Sequence, residues 1–230
     1  MSYPFIPYTN EFYETYKMNI FSQNGEDGVI QEILKRLNIT VGTCVEFGAW
    51  DGKHLSNTFH LVKNHGWNAI YIEGDAQKYQ DLLKTCQEYP TITPIQAFVD
   101  HNNYPGNHNT LDNILSRTDI PSSFDIISID IDSFDYQVWK SLSNYTPKIV
   151  IIEIHSGIKP YVTDHIHTPG RFDGTSFFPM LQLGIEKGYQ LVCHTGNMIF
   201  IRDDLYKLIE LQNCHPFSLF RRDWINRWSE

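Results

Sequence analysis

The sequence predicts an α/β fold in which helices cover both faces of a mostly parallel, seven-stranded sheet. Two observations lead to this prediction. Five short apolar runs alternate with helix-like segments, which is the order of a parallel sheet with crossover helices. Two further strand-like segments, Tyr189–His194 and 198–202, flank a turn at Thr195, Gly196 and Asn197. This pattern predicts an antiparallel hairpin that closes the sheet.

The five predicted strands before the hairpin are short and rich in apolar, β-branched residues. Continuous apolar runs of this kind are typical of strands that are buried on both faces. Glycine, proline or polar residues that favour turns bound each run. In chain order the runs cover Thr43–Phe47, 68–72, 93–99, 124–131 and 148–154.

The predicted helices carry apolar residues at the three- and four-residue spacing of one helix face. Gly66 and Gly188 each follow such a segment, at a position where glycine commonly ends a helix. The aromatic residues near the C-terminus recur at helical spacing and predict a packed terminal helix. The predicted helices before that tail cover 22–37, 57–65, Ala76–Glu88, 110–117, 134–142, 176–187 and 204–211.

A single domain accounts for the length of 230 residues. We divide it into an N-terminal helical segment (1–40), a Rossmann-like core (41–202) and a C-terminal helical tail (203–230). The alternation breaks at 156–174, which holds three glycines and two prolines. A loop this long inside a compact domain is usually functional, so we expect it to close over the ligand site like a lid.

Composition excludes several classes of protein. Hydrophobic residues make up 41% of the chain, which is too many for a disordered protein, and the net charge of −9 excludes a broad basic surface for nucleic acid. No apolar run approaches the ~20 residues of a membrane span, and the N-terminus does not resemble a signal peptide. The four cysteines form no CxxC pair, so neither a zinc clip nor a disulfide framework is expected.

These exclusions favour a cytoplasmic protein with a small-molecule ligand, no nucleic-acid partner and no membrane span. The sequence does not decide between a monomer and a homodimer. Because open parallel sheets bind ligands beyond the carboxyl ends of their strands, the loops that follow the strands are the places to look for the site.

The loop after the first strand holds two glycines. Gly48 lets a ligand approach the backbone closely, and Gly52 stands where the next helix begins. An ordinary tight turn explains the pair equally well. Glu46 lies at the end of the same buried strand, where a carboxylate needs hydrogen-bond donors.

The loop after the second strand holds an acidic residue, Glu73, about 20 residues beyond the glycines, where nucleoside sites accept the ribose hydroxyls. Asp75 fits better as the cap of the following helix. Trp50 replaces the second glycine of the dinucleotide fingerprint, and the charge of Glu46 would repel a pyrophosphate. S-adenosylmethionine (SAM), which carries a sulfonium and an ammonium, therefore fits better than NAD.

Four motifs together resemble FkbM-type SAM-dependent methyltransferases over about residues 22–202. They are Glu-Phe-Gly-Ala-Trp-Asp-Gly at 46–52, Glu73, Ile-Asp-Ile-Asp at 129–132 and Ile-Glu-Ile-His at 152–155. The family usually has Gly-Ala-Asn-x-Gly in the first motif and often Asp-x-Glu-Gly in the third. The resemblance implies a class I methyltransferase sheet with an antiparallel closing strand, and O-methylation of sugar or polyketide-type hydroxyls.

The strand-end loops and this resemblance together predict the contacts of the cofactor. In the resembling family, the segment that contains Gln23 and Glu26 borders the cofactor. The predicted cofactor-binding residues are Gln23, Glu26, Glu46, Gly48, Ala49, Asp51, Gly52, Glu73, Gly74, Asp100 and Asp130.

A second polar group follows the fourth and fifth strands. Asp130 and Asp132 end one strand, and Glu153 and His155 end the other. Residues two apart share a strand face, and adjacent strands lie ~4.8 Å apart, so we expect all four side chains around one small volume. Carboxylates crowded in this way need protons, arginines or a cation.

We predict Asp130, Glu153 and His155 as ligands of Mg²⁺, Mn²⁺ or Fe²⁺, with Asp132 as general base or outer ligand. Without a metal, His155 is the expected base, because its usual pKa lies nearest neutrality. In the alternative interpretation Asp130 is a buried cap partner and His155 an ordinary loop histidine. For the acceptor, we expect His165, His167 and Arg171 to meet phosphates and Asn197 to contribute a further contact.

The favoured function is O-methylation of a sugar hydroxyl, on a nucleotide-linked sugar or a surface-polysaccharide precursor. The alternatives are a non-catalytic nucleoside-binding scaffold and a methyltransferase of a non-sugar small molecule. Trp50 argues against an NAD-dependent oxidoreductase, because it replaces a glycine of the fingerprint that binds the dinucleotide.

Overall fold

Seven strands form one sheet in the computed structural model, which describes residues 6–102, 106–170, 173–211 and 214–227, without the side chains of 226 and 227. The strands are β1 (Thr43–Phe47), β2 (Asn68–Glu73), β3 (Ile92–Gln96), β4 (Ile126–Ile129), β5 (Ile149–Glu153), β6 (Tyr189–His194) and β7 (Asn197–Arg202). Their order across the sheet is β3-β2-β1-β4-β5-β7-β6.

The strand directions confirm the predicted sheet. Strands β1 to β5 pair in parallel, whereas β7 runs antiparallel to both of its neighbours, β5 and β6. The hairpin of β6 and β7 therefore closes the sheet, as the turn at Gly196 predicts.

The helices in the described residues are α1 (Glu11–Tyr16), α2 (Glu26–Arg36), α3 (Phe59–His65), α4 (Ala76–Glu88), α5 (Leu111–Leu115), α6 (Asp135–Ser141), α7 (Phe177–Glu186), α8 (Asp203–Tyr206) and α9 (Asp223–Arg227). Two short 3₁₀ helices, Lys207–Ile209 and Pro216–Leu219, complete the tail. Helix α8 is therefore shorter than the predicted 204–211. None of the helices is long and apolar enough to cross a membrane in the described part of the chain.

The core lies on both faces of the sheet because successive strand residues point to opposite sides. Val45 and Phe47 pack on one face against α5, α6 and α7. Cys44, the residue before Val45, packs on the other face against α2 and α3. Burial on both sides explains why the strands are continuously apolar.

Strand β4 ends two residues earlier than predicted, because local hydrogen bonds replace those of the sheet. The Asp135 carboxylate accepts hydrogen bonds from the backbone N–H of Ile131 and of Ser133, each at 2.9 Å. Asp132 adopts a left-handed conformation with φ 58°. Asp130 and Asp132 thus lie in a loop, and the expectation that they share a strand face is wrong.

Helix α2 begins at Glu26 rather than at residue 22, since Asp27 captures the preceding backbone. Its Oδ2 accepts hydrogen bonds from the backbone N–H of Ile20, Phe21 and Ser22 at 2.7, 2.8 and 2.8 Å. Asp27 is only 2% exposed. Through these hydrogen bonds, the buried carboxylate fixes the loop that contains Gln23. Gln23 is thereby placed at the edge of the sheet where the strands end.

We expect Asp27→Ala to lower the free energy of unfolding by about 3 kcal/mol, because it leaves three backbone N–H groups without their charged acceptor. Urea denaturation measures the loss. Asp75→Ala is the matched control, since Asp75 caps α4 through two N–H groups but is fully exposed to solvent. An exposed cap of this kind should contribute much less than the buried Asp27. Equal losses in the two variants would contradict the role of Asp27.

Candidate functional site

The loops after β1 and β2 are joined through Glu73, the last residue of β2. Its Oε2 accepts a hydrogen bond from the backbone N–H of Trp50 at 2.8 Å, and its Oε1 accepts one from that of Asp75 at 2.7 Å. The residue is 6% exposed. A carboxylate has about four acceptor positions, so Glu73 can still accept hydrogen bonds from a ligand.

Gly48 lies where the chain leaves β1 and passes close to the end of β4. Its φ is +76°, and a Cβ there would lie 1.9 Å from the carbonyl oxygen of Asp130. The glycine is therefore required by the approach of two backbone segments, in addition to any approach of a ligand.

Glu46 is buried beneath this loop, and one of its carboxylate oxygens accepts three hydrogen bonds. Its Oε2 accepts hydrogen bonds from the hydroxyl of Ser56 at 2.9 Å, the N–H of Thr58 at 3.1 Å and the hydroxyl of Thr58. Burial raises the pKa of Glu46 to about 7 despite these donors.

A cavity of about 680 Å³ opens between the loops after β1, β2 and β4. We call it the β1/β2 cavity. Glu46, Gly48, Glu73, Gly74 and Asp130 are among the residues that line it. Its rim carries exposed aromatic rings of Trp50 (45% exposed) and Phe98 (73% exposed). The combination of a buried carboxylate and aromatic carbon surface suits a nucleoside.

A second cavity of about 470 Å³, the β5/β7 cavity, lies beside the first. His155, Asn197 and Trp224 are among its lining residues. Both cavities are also lined by Gln23, Asp130, Asp132 and Glu153. The acidic side chains therefore lie at the boundary between two cavities, each large enough to bind a small molecule.

Asp130, Asp132 and Glu153, which we call the acidic cluster, each offer an oxygen within 4.8 Å of the others. Glu153 and Asp130 share a hydrogen bond, which requires a proton between them. Burial and the neighbouring carboxylates raise the pKa of both groups, more strongly for Glu153. We therefore assign the proton to Glu153, which donates to the Asp130 carboxylate.

The acidic cluster fits a divalent cation by its donor chemistry. Three carboxyl oxygens within one small volume are the ligands that Mg²⁺ and Mn²⁺ prefer. No lysine or arginine forms an ion pair with any of the three in the described ranges. A cation would replace the proton that otherwise relieves their repulsion.

His155 does not join this cluster, so the expected group of four is reduced to three carboxyls. Its ring lies 6.2 Å from that of His165, centroid to centroid, and the residue lines the β5/β7 cavity. Burial lowers the pKa of His155, so its ring is neutral near pH 7 and able to accept a proton.

Several predicted cofactor residues lie next to the β1/β2 cavity without lining it. Ala49 is buried in the core, and Gly52 packs toward Leu82 and Tyr71. The Asp51 carboxylate accepts hydrogen bonds from the N–H groups of Lys53 and His54 at 2.9 and 2.7 Å. These three residues shape the loop after β1, and other residues of the same loop line the cavity.

Two more predicted cofactor residues bind other parts of the protein. Glu26 is fully buried and accepts hydrogen bonds from the hydroxyl of Thr195 and the amide of Asn197, and burial raises its pKa. Asp100 accepts hydrogen bonds from Asn102 and from Asn107. The N–H of Asn102 lowers the pKa of Asp100. Two residues of the N-terminal segment, Gln23 and Glu26, were predicted to bind the cofactor. Of these, only Gln23 lines the β1/β2 cavity.

The two histidines expected to meet phosphates are engaged with the loop itself. Nε2 of His165 lies 3.1 Å from the Asp173 carboxylate. His167 is 3% exposed, and its Nδ1 is hydrogen-bonded to the carbonyl oxygen of Asp173. Neither histidine lines the two cavities. Arg171, the third predicted phosphate contact, lies outside the described residues.

Phe98 and Trp224 line the cavities but do not follow from the predicted elements. Phe98 falls inside the predicted third strand, whereas β3 ends at Gln96 and leaves it in the following loop. A Cβ on Gly74 would lie 2.3 Å from the Phe98 ring, so glycine allows that ring to cover the end of β2. Trp224 reaches its cavity only through long-range packing of the tail, for which the sequence carries no local signal.

Neither a protein-family model nor a curated protein shows significant similarity to this chain. Solved structures do. A putative caffeoyl-CoA O-methyltransferase from Staphylococcus aureus has a TM-score of 0.53 at 14% identity, over 84% of this chain and 89% of the other. The N-terminal domain of EvdMO1, determined with S-adenosylhomocysteine (SAH) and D-fucose, has a TM-score of 0.48 at 10% identity, over 80% and 84%.

M. capricolum TrmK, in complex with SAH, has a TM-score of 0.44 at 11% identity, over 74% of this chain. The match spans 65% of TrmK, slightly less than two thirds of its length. The Staphylococcus similarity, together with the strand order, establishes the Rossmann-like methyltransferase fold. The FkbM resemblance remains a prediction from the motifs.

Gly48→Ala is expected to destabilise the protein by about 3 kcal/mol or more, because the methyl group collides with the Asp130 carbonyl in addition to straining the backbone. Gly66→Ala is the matched control: Gly66 also has a positive φ (+67°), but a Cβ there meets nothing within 4 Å. We expect a loss of about 1 kcal/mol for the control. Similar urea midpoints for the two variants would mean that β1 and β4 are not held this closely.

The stability of the protein should fall as the pH rises from about 4 to about 7. Burial raises the pKa of Glu46 and of Asp135 to about 7 each, whereas in the unfolded chain both titrate near their ordinary values. In that window the folded state holds more protons than the unfolded state, so raising the pH favours unfolding.

Urea midpoints measured at about pH 5 and about pH 8 give the slope, and Glu46→Gln should reduce it, since the amide does not titrate. A wild-type midpoint that rises with pH would show that these carboxyls are ionised at no cost in the folded state.

Proposed function

We propose that the chain is a SAM-dependent O-methyltransferase that acts on a sugar hydroxyl and uses Mg²⁺ or Mn²⁺. One observation carries this proposal: two adjoining cavities meet at the acidic cluster, beside the point where the strand order reverses. Ligands of open parallel sheets bind at such points. The candidate acceptors are nucleotide-linked sugars and precursors of surface polysaccharides, and the motifs favour FkbM-type enzymes.

The β1/β2 cavity is the proposed SAM site. Glu73 supports this choice because its carboxylate, already oriented by two backbone N–H groups, can accept the two ribose hydroxyls. Trp50 and Phe98 provide carbon surface at the rim for the base. The carboxyl groups of Glu46 and Asp130 also line this cavity, and a positively charged methionine end would favour their ionised forms.

The β5/β7 cavity is the proposed acceptor site, because it shares the acidic cluster with the first cavity. When bound, SAM supplies a methyl group that is already activated by the sulfonium. The protein must therefore align the acceptor oxygen with that methyl group and remove its proton. Asn197 and the acidic cluster are placed to orient hydroxyl groups, and segment 156–174 is the proposed lid.

Asp130, Asp132 and Glu153 would hold the divalent cation, which would polarise the acceptor hydroxyl as a Lewis acid. Asp132, the exposed member of the cluster, is also placed to accept a proton. If the enzyme uses no metal, His155 is the proposed base: it lines the acceptor cavity and its ring is neutral near pH 7.

Glu73→Ala should weaken SAM binding by about 1.5–3 kcal/mol, measured by calorimetry, because the charge-assisted ribose hydrogen bonds are lost. Glu73→Gln retains a side-chain acceptor and guards against misfolding of the alanine variant. Asp81→Ala is the control, since the Asp81 carboxylate pairs with Lys84 on the exposed side of α4 and does not line the cavity. A folded Glu73→Gln variant with wild-type affinity would remove Glu73 from the SAM site.

Manganese titration tests the metal. We expect one Mn²⁺ per chain by paramagnetic resonance, and at least about tenfold weaker binding in Asp132→Asn with unchanged SAM affinity. Asp164→Asn, at an exposed aspartate outside the cluster, should bind Mn²⁺ normally.

Turnover provides the second test of the metal. EDTA should abolish methyl transfer, and Mn²⁺ or Mg²⁺ should restore it. Full activity in EDTA, with no metal found by elemental analysis, would contradict the metal and favour His155 as the base.

A further inference from the structure

The C-terminal tail places an indole ring in the wall of the β5/β7 cavity. Trp224, on α9, lines this cavity together with His155 and Asn197. Its Nε1 donates a hydrogen bond to the carbonyl oxygen of Thr195 at 2.8 Å. A Cβ on Gly196 would lie 2.7 Å from Cζ2 of Trp224, so the absence of a side chain there lets the ring rest on the β6–β7 turn.

Arg221 fixes the tail against this turn. Its Nη1 donates hydrogen bonds to the hydroxyl of Tyr13 at 2.6 Å and to the carbonyl oxygen of Thr195 at 2.9 Å. Its backbone N–H donates to Nδ1 of His194 at 3.0 Å. The tail is thus tied to β6, to the turn after β6 and to α1 at once.

His194 is itself held in one orientation. Because Nδ1 accepts from Arg221, the ring proton is on Nε2, which donates to the hydroxyl of Ser156 at 2.8 Å; that hydroxyl donates to the carbonyl oxygen of Gly196 at 2.9 Å. The ring stacks on Phe220 with a centroid distance of 4.6 Å. Trp224 is therefore held by a connected network of hydrogen bonds before any ligand arrives.

The indole N–H of Trp224 is used by Thr195, so the surface that remains for the cavity is ring carbon. Polar groups line much of the rest of the cavity: the amides of Gln23, Asn24 and Asn197, the side chains of His155 and Ser156, and the acidic cluster, with Ile154 as an apolar neighbour. Among the described lining residues there is no lysine or arginine. Such a site favours a ligand with one apolar face and several hydroxyls, and it disfavours a phosphate group.

We propose that Trp224 is an acceptor-binding residue, whose ring packs against the C–H face of an uncharged pyranose in the β5/β7 cavity. The C-terminal tail then determines acceptor specificity, and the acceptor presents a sugar ring without phosphate at this end. This inference rests on the proposed function, and of its two candidate acceptors it favours a polysaccharide-type pyranoside over a nucleotide-linked sugar.

Saturation-transfer NMR with SAH-saturated protein, which cannot transfer a methyl group, tests it with methyl pyranosides of glucose, galactose, mannose, xylose, fucose and rhamnose and, separately, a UDP-hexose. We expect at least one methyl pyranoside to bind, and the UDP-hexose to bind no more tightly. Trp224→Ala should weaken binding about tenfold or more, the equivalent of one well-packed aromatic contact. Trp224→Phe, which keeps an aromatic face, should lose about threefold.

Two further variants separate binding from folding. Phe217→Leu removes a tail aromatic that packs on the core outside the cavity and should leave sugar binding unchanged. Arg221→Met should weaken sugar binding, yet add little to Trp224→Ala in the double variant, because Arg221 acts through the position of Trp224. The SAM dissociation constant should be the same for all of these proteins.

Three results would overturn the inference: no methyl pyranoside binds although SAM does, Trp224→Ala binds the sugar like the wild type, or the UDP-hexose binds much more tightly than every methyl pyranoside. Failure of the wild-type protein to bind SAM would instead overturn the proposed function.

Discussion

The close approach of β1 and β4 at Gly48 and Asp130 is the constraint on which the site depends. With no room for a Cβ between them, the two strands deliver their loops to one point, where the strand order reverses. The loop after β1 can then reach Glu73, and Asp130 is brought beside Glu153. Burial, together with the neighbouring carboxylates, raises the pKa values of Asp130 and Glu153 in this arrangement. The contacts that build the site therefore also create its demand for a proton or a cation.

The sheet could be predicted from the sequence because its causes are local. Apolar runs buried on two faces and helical periodicity specify the elements, and the bounds of β1 and α4 match the prediction. The position of Glu73 could also be predicted, since the end of the second strand has a fixed place in such sheets. In both cases the rule concerns spacing along the chain.

The parts that could not be predicted depend on side chains from distant segments. Asp135 ends β4 early by capturing backbone N–H groups, which places Asp130 and Asp132 in a loop instead of on one strand face. The acidic cluster nevertheless forms, because the strand ends converge. His155, although two residues from Glu153, lies outside it, and Trp224 enters a cavity only because Arg221 ties the tail to a turn formed by β6 and β7.

A crystal structure with SAH and Mn²⁺ is the most direct measurement of the central claim that the β1/β2 cavity is a SAM site beside a metal. The expected density places the ribose hydroxyls on Glu73 and an anomalous manganese peak among Asp130, Asp132 and Glu153. A nucleoside bound elsewhere, or a cavity that stays free of SAH at saturating concentration, would contradict the claim. SAH density on Glu73 without a manganese peak would retain the cofactor site and remove the metal.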